Sequence, residues 1–587
     1  MSPEPESMHS QRMDEMKFKQ DIMARLEKIY VDVSDDIYNE ILKRINHYDF
    51  LFNQKIEKRW DQSDVILITY GDSVIEKNKN PLQTLYQFIR QYLHESISGV
   101  HILPFFPYSS DDGFSVIDYR TVNPDLGDWQ DIKCIARDYN LMTDLVINHV
   151  SRESLWFSDF VANTPPARDY FLDIDPDTDV SMVTRPRNTP LLAPINTHRG
   201  MRHVWATFSE DQIDLNFANP AVLIEFIDIL LFYIANGSRI IRLDAIAFLW
   251  KEIGTTCIHL RQTHQVVKLL RDILNYCAAD CILLTETNVP HEENLSYFGE
   301  GDEAHMVYQF TLPPLLLHAM NRGTSVHLTK WVNSLPALAD ECTYFNFTAS
   351  HDGIGVRALE GILPHHEIND LIESMQSFGG FVSMKANPNG EDTPYEINIS
   401  LFDAMQGTRR GLDPWQVNRF VCLQAVMLAL QGIPALYIHS LVATPNDLHG
   451  VELSGRTRSI NRKKWDYETL IDLLENKKSV HYEVFSALKK LLMIRRAQAC
   501  FDPHNPQQAI EAGYGLFALL RTNIKTGQRL LAINNLTHGP QTVTIKNKPD
   551  LTDATQWYDL ISESKLTAIL PQVVLQPYQV MWLLESD

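Results

Sequence analysis

The chain reads as an α/β protein: a (β/α)8 (TIM) barrel with inserted subdomains after its third and seventh strands and an all-β domain at the C-terminus. Three observations predict this. Eight short apolar runs, rich in β-branched and aromatic residues, alternate with amphipathic helical segments, the pattern of a parallel sheet buried on both faces. Two of the intervals between them are too long to be ordinary connections. From about residue 504 the helical periodicity gives way to short strand-like segments divided by Gly, Pro and Asn. A large doubly wound sheet is the alternative, but such sheets usually open with a glycine-rich turn. The chain contains no G-x-G-x-x-G or Walker-type loop.

The elements follow in order. Residues 1–63 form a helical leader, in which Phe18, Ile22, Leu26 and Ile29, then Ile37, Ile41, Ile45 and Tyr48, recur at helical spacing. Residues 64–150 begin the barrel, with strands expected at 65–70, 101–106 and 141–150. Residues 151–213 hold Pro165, Pro166, Pro176, Pro186, Pro190 and Pro194 and read as an irregular inserted subdomain. Residues 214–352 resume the barrel, with strands at 238–248, 282–287, 306–312 and 343–349. Residues 353–418 form a second insertion, and 419–503 complete the barrel with a strand at 433–439. Residues 504–587 form the β-rich tail, expected to be a small sandwich. In such barrels the loops at the carboxyl ends of the strands carry function, so both insertions should wall the mouth.

Composition narrows the function. The 587 residues carry 52 Lys and Arg against 74 Asp and Glu, a formal net charge of −22. Such acidity without a basic block excludes nucleic acid as a partner. Hydrophobic residues at 44% and charged residues at 21% are ordinary for a globular chain. Seven cysteines with no CxxC spacing read as reduced thiols. The first twenty residues interleave acids and lysines, with no apolar core for export. The most apolar stretches, 221–237 and 421–438, are broken by charges or by a Gly-Ile-Pro turn. A cytoplasmic protein without membrane contact is the expectation.

Chemistry collects at the strand ends. The third strand closes on Asp144-Leu-Val-Ile-Asn148-His149, the fourth on Arg242-Leu-Asp244, the fifth on Glu286 and the seventh on His351-Asp352. Taken singly, each has a plain explanation as a helix cap or a salt-bridge partner. Arg242 and Asp244 alternate on one strand and could be a simple ion pair. Taken together, three carboxylates, two histidines and an arginine converge on one end of one barrel.

The order D-x3-N-H, G-x-R-x-x-R-x-D, an isolated Glu and H-D resembles glycoside hydrolase family 13, the α-amylase family. Asp214-Leu-Asn216 resembles that family's additional signature before the nucleophile strand. The resemblance implies a retaining glucosyl transfer, in which two carboxylates roughly 5 Å apart divide the work. Asp244 would be the nucleophile and Glu286 the acid and then the base. Asp352 would hold the sugar 2- and 3-hydroxyls, with His149 and His351 on neighbouring hydroxyls. Arg242 would keep Asp244 ionised.

Finer features resemble the sucrose phosphorylase subfamily: His101-Ile-Leu-Pro-Phe-Phe-Pro-Tyr-Ser-Ser-Asp-Asp-Gly-Phe-Ser-Val-Ile-Asp-Tyr119, Arg242-Leu-Asp-Ala-Ile-Ala-Phe248 with Gly254-Thr-Thr-Cys, and Gly455-Arg-Thr-Arg-Ser-Ile-Asn-Arg462. The likeness implies a closed pocket for one glucose, with Asp111 and Arg462 clamping its far hydroxyls and Phe114 lining it. It also implies transfer of the glucosyl group to inorganic phosphate, giving α-glucose 1-phosphate. Arg187, Tyr395 and Glu396 are then the phosphate- and acceptor-binding residues. Where sucrose-type members carry Gln after the tyrosine, this chain has Glu396. The segment Asn387-Pro-Asn-Gly-Glu-Asp-Thr-Pro-Tyr-Glu-Ile-Asn398 resembles instead the branch that cleaves 2-O-α-glucosyl-D-glycerate, making an α-glucoside, phosphate and D-glycerate the small-molecule partners. The alternatives are phosphorolysis of sucrose, sucrose 6-phosphate or glucosylglycerol, and, outside enzymes, a catalytically inactive sugar-binding barrel. No cofactor or metal is implied: Asn148 stands where many amylases help bind calcium, but this branch does not depend on it. The leader is expected either to serve a homodimer contact or to pack against the barrel.

Overall fold

A computed structural model describes residues 5–48, 58–187, 189–386, 392–545, 551, 556–566 and 570–586. Eight parallel strands close into a barrel in sequence order. They are β1 Ile66–Thr69, β2 Gly99–Ile102, β3 Asn140–Val146, β4 Ser238–Asp244, β5 Ile282–Thr285, β6 Met306–Tyr308, β7 Thr343–Phe347 and β8 Ile433–Tyr437. Six lie inside the expected runs; β3 starts one residue ahead of its run, and β2 starts two residues ahead of the expected 101–106 and stops at Ile102. All residues of β1, β2, β5, β7 and β8 are buried, because helices cover the outer face while side chains fill the interior.

The chain divides into two compact units. The first comprises Met1–Arg59, Ile102–Thr287 and Leu295–Val307. Here β3 pairs with β4 (Asp144 opposite Arg242, Val146 opposite Asp244) and β4 with β5 (Leu243 opposite Thr285). Gly237 makes the turn into β4 at a φ of 104°, and a Cβ there would meet the Ala136 Cβ at 2.7 Å, so only glycine fits. The helix Trp129–Asp138 ahead of β3 starts at a complete capping box on Asp128 and Asp131, worth about 1 kcal/mol.

The leader folds as α1 Pro5–Ile29 and α2 Asp35–His47. Phe18, Ile22, Leu26 and Ile29 are buried as the spacing requires. Phe18 stacks on Tyr276 of the barrel helix Arg261–Cys277 at 3.9 Å, and Arg25 reaches Asp272 at 2.9 Å and Asp302 at 3.2 Å. On α2 the buried face runs through Tyr38, Ile41 and Ile45; Ile37, expected on it, sits at its edge.

The structure corrects several details. The third and fourth runs overshoot their strands: His149–Ser151 leaves the barrel to pair antiparallel with Gln212–Asp214, and Ile246–Phe248 is a 3-10 turn. The first insertion is less irregular than its prolines suggest. It holds the helix Leu155–Ala162 and an antiparallel hairpin, Leu192–Thr197 with Gly200–Trp205. Pro194 sits in that hairpin at an exposed position, where a two-stranded ribbon tolerates a missing N–H.

The second unit comprises Trp60–His101, Asn288–Asn294 and Tyr308–Asp587. Within it β8 pairs with β1 and β7. The second insertion contains the helix His365–Ser377 and a three-stranded antiparallel sheet with Asp392–Asn398 between Ile354–Gly355 and Phe381–Ala386. The tail forms a six-stranded antiparallel sheet and the pair Gln541–Thr542 and Val574–Leu575. Leu516, Leu531, Ile533, Val543, Trp557, Leu575 and Leu583 pack together as its core.

Candidate active site

In the first unit, strand register alone assembles the charged cluster. Residues 242 and 244 share one face of β4, and Asp144 lies directly across from Arg242 on β3. Arg242 Nη1 donates to Asp144 Oδ1 at 2.5 Å and to Asp244 Oδ1 at 2.6 Å, and Nη2 stands 3.9 Å from Glu286 Oε1. Asp244 and Glu286 therefore fall within the span of one guanidinium. The Ala245 N–H donates to Glu286 Oε2 at 3.0 Å, fixing the second carboxylate against the turn that follows the first. Ala245 adopts a φ of 51°, a left-handed conformation costly for a residue with a Cβ and frequent at functional sites.

Burial pushes the Asp244 carboxyl above the ordinary aspartate range, with Asp144 adding to the effect and Arg242 and His149 opposing it. The expectation that Arg242 keeps this group ionised holds for the sign of Arg242's contribution, but desolvation outweighs it.

Asp111 opens the 3-10 turn Asp111–Gly113 at a φ of 54°, and Gly113 closes it at 113°, where a Cβ would lie 2.7 Å from the Pro104 carbonyl oxygen. Gln212 Nε2 donates to Asp111 Oδ2 and to the Phe114 carbonyl, both at 3.3 Å. His149 Nε2 lies 2.9 Å from the Phe114 carbonyl oxygen, and its Nδ1 lies 3.2 Å from the Asn148 amide nitrogen. His149 thus holds the Phe114 turn with a ring nitrogen expected on a sugar hydroxyl. The Arg242 guanidinium carbon lies 5.6 Å from the Phe114 ring centroid.

Sequence reasoning missed Lys251. Its Nζ donates to Asn148 Oδ1 at 2.7 Å and pairs with Asp214 Oδ2 at 2.7 Å, while Thr207 donates to both Asp214 oxygens. The ammonium takes the Asn148 oxygen at the position likened above to amylase calcium sites. Arg187 is half-buried on the loop Thr184–Arg187, which the Thr184 N–H ties to the Thr256 carbonyl at 2.9 Å. Arg185 on the same loop is half-buried too, and its Nε has no hydrogen-bond partner among the described residues.

The second unit carries the other expected residues. His351 Nε2 lies 3.3 Å from Asp352 Oδ2, and Arg462 donates from Nε to the His351 carbonyl at 2.8 Å. Arg462 also lies over the Tyr70 ring, which stands nearly perpendicular to the His351 ring at 5.9 Å between centroids. Arg458 makes the closest charged contact: Nη1 meets Asp352 Oδ1 at 2.6 Å, while Nε and Nη2 grip Glu396 Oε1 and Oε2 at 2.9 and 2.6 Å. Glu396, expected among the acceptor-binding residues, is turned inward and 1% exposed. Tyr395 sits at a β-bulge, since Ser383 pairs with Glu396 and Met384 with Pro394. Bulges re-aim side chains. The Asn387–Glu391 part of this loop lies outside the described residues.

Residues 89–357 match the α-amylase catalytic domain. The glucosylglycerate phosphorylase of Spirochaeta thermophila is 46% identical over 89% of this chain and 90% of its own length. That of Escherichia coli is 42% identical over 96% and 100%. The crystal structure of sucrose 6F-phosphate phosphorylase from Thermoanaerobacter thermosaccharolyticum superposes with a TM-score of 0.70 at 24% identity, covering 81% of this chain and 94% of that one, which reports on the fold. The barrel and these relatives define a class, the glucosyl-transferring phosphorylases. The chain belongs to the α-amylase family, glycoside hydrolase family 13, in its glucosylglycerate phosphorylase branch.

Proposed function

We propose that the protein is a retaining phosphorylase that cleaves 2-O-α-glucosyl-D-glycerate with inorganic phosphate, giving α-glucose 1-phosphate and D-glycerate. The observation that carries the mechanism is the Asp244–Arg242–Glu286 arrangement, two carboxylates held by one buried guanidinium. Asp244 attacks the anomeric carbon while Glu286 protonates the glycosidic oxygen, and D-glycerate leaves. A phosphate oxygen then attacks the β-glucosyl ester as Glu286, now a carboxylate, takes up its proton. Two inversions return the α configuration. Asp352 holds the sugar 2- and 3-hydroxyls, and Asp111 and Arg462 the far ones.

Two anions must enter a protein of net charge −22. Arg187 and Tyr395 are assigned to the phosphate and the acceptor. Arg187 and Arg185 supply positive charge on the first insertion, and Arg458 and Arg462 supply it beside Asp352. Arginine suits this task, because its fork meets an oxyanion with two parallel hydrogen bonds.

Phosphate release from α-glucose 1-phosphate, followed with D-glycerate, glycerol, fructose, fructose 6-phosphate or water, tests the reading. D-glycerate should give the fastest release. Release in water alone at the same rate would make the protein a hydrolase, and a wide margin for fructose would overturn the assignment of glycerate.

A further inference from the structure

Glu396 stands opposite Gly355 in the sheet of the second insertion. Both of its oxygens are committed to protein donors: Oε1 to Arg458 Nε and to the Gly353 N–H at 2.9 Å each, and Oε2 to Arg458 Nη2 at 2.6 Å. Gly353 and Glu396 are shaped to each other, since a Cβ on Gly353 would lie 2.3 Å from Glu396 Oε1. A buried carboxylate engaged in this way is poorly placed to contact an incoming acceptor and well placed to fix a guanidinium. That guanidinium is the one whose Nη1 meets Asp352 Oδ1.

We infer that Glu396 is a positioning residue for glucosyl transfer, acting through Arg458 on Asp352; the inference rests on the phosphorylase reading above. With Glu396 present, one cation is divided between two carboxylates. Asp352 is then held in place but only partly neutralised, and remains a strong acceptor for the glucosyl hydroxyls. With Glu396 replaced by a neutral residue, the whole charge of Arg458 falls to Asp352, and a tight ion pair competes with the sugar. The Gly353 N–H contact further ties the segment that carries Asp352 to the insertion strand that carries Tyr395.

The test uses α-glucosyl fluoride as donor, because fluoride release reports formation of the glucosyl ester on Asp244 whatever the natural acceptor is. Glu396→Gln preserves shape and should lower kcat for fluoride release about tenfold, with KM for phosphate and D-glycerate within about twofold. Arg458→Lys, which keeps the charge but loses the fork, should show the same split. In a double-mutant cycle, Glu396→Gln should add nothing to the loss caused by Arg458→Gln. Fluoride release within about twofold of the parent enzyme in Glu396→Gln would overturn the inference. So would an altered preference between D-glycerate and glycerol with fluoride release intact, the signature of a direct acceptor contact. If the unmodified protein releases no fluoride at all, the glucosyl-transfer reading itself fails.

Discussion

Arg242→Met is the most informative single substitution, because one guanidinium holds the whole cluster of the first unit. Its side chain is 3% exposed and contacts Asp144 and Asp244 at 2.5 and 2.6 Å. A unit charge pair about 4 Å apart at an effective dielectric near 20 is worth about 4 kcal/mol. Breaking a buried pair typically costs about 3–5 kcal/mol. Losing the guanidinium raises the Asp244 carboxyl further, because Arg242 is the largest influence that lowers it. Burial already holds that carboxyl above its ordinary range, so a larger share of the variant's nucleophile is protonated at a given acid pH. The nucleophile must be ionised; its activity is present above its pKa and lost as pH falls through it. The acid limb of kcat/KM for α-glucosyl fluoride should therefore move to higher pH. Below the shifted limb, the loss of about 4 kcal/mol corresponds to about a 1000-fold fall in activity, with recovery toward alkaline pH. The stability effect has the opposite sense. A folded-state carboxyl pKa above its unfolded value loses stability as pH rises from the unfolded to the folded value, so the variant should unfold most readily on the alkaline side. A uniform loss of activity with the acid limb unmoved would refute the reasoning and make Arg242 an orienting group alone.

Three further outcomes follow from the geometry. Lys251→Met leaves the Asp214 carboxylate buried without its ammonium and should cost about 3–5 kcal/mol of unfolding free energy, read as a lower urea midpoint; an unchanged midpoint would contradict the contact. Gly113→Ala sets a Cβ 2.7 Å from the Pro104 oxygen at a φ of 113°, so it should destabilise by about 1–3 kcal/mol. It should also raise KM for the glucosyl donor through the displaced Asp111 turn, and an unaltered KM would remove Asp111 from the sugar site. Phe18→Ala deletes a buried ring stacked on Tyr276 and should cost about 3–5 kcal/mol, seen by thermal melting. Its kcat should not change, since among the described residues Phe18 packs on Tyr38 and Tyr276 and on no catalytic group; a fall in kcat at full folding would give the leader a role in catalysis.

The barrel was legible because its strands are buried on both faces and therefore appear as unbroken apolar runs. Their ends were less so. Ile147 and Ile246-Ala247-Phe248 continue the apolar runs past the last ladder pair, since the loops at that rim are themselves packed. Only hydrogen-bond register marks where a strand stops. Arg242, Asp244 and Glu286 could be read from strand alternation and order. The balance on Asp244 could not, because a sequence carries the charge of Arg242 but no measure of desolvation. Lys251 escaped notice because its partner Asn148 is 103 residues away and nothing local distinguishes it from a surface lysine. The inward turn of Glu396 depends on Gly353 leaving space for a carboxylate, a complementarity visible only in three dimensions.

The central claim is a double displacement that moves a glucosyl group from D-glycerate to phosphate. Proton NMR of the purified enzyme with 2-O-α-glucosyl-D-glycerate and inorganic phosphate tests it most directly, through the anomeric signals in the first turnovers. α-Glucose 1-phosphate and D-glycerate should form in equal amounts, with the α signal present from the start. First-formed β-glucose 1-phosphate would contradict the covalent Asp244 intermediate, and free glucose in place of the phosphate ester would contradict the phosphorylase.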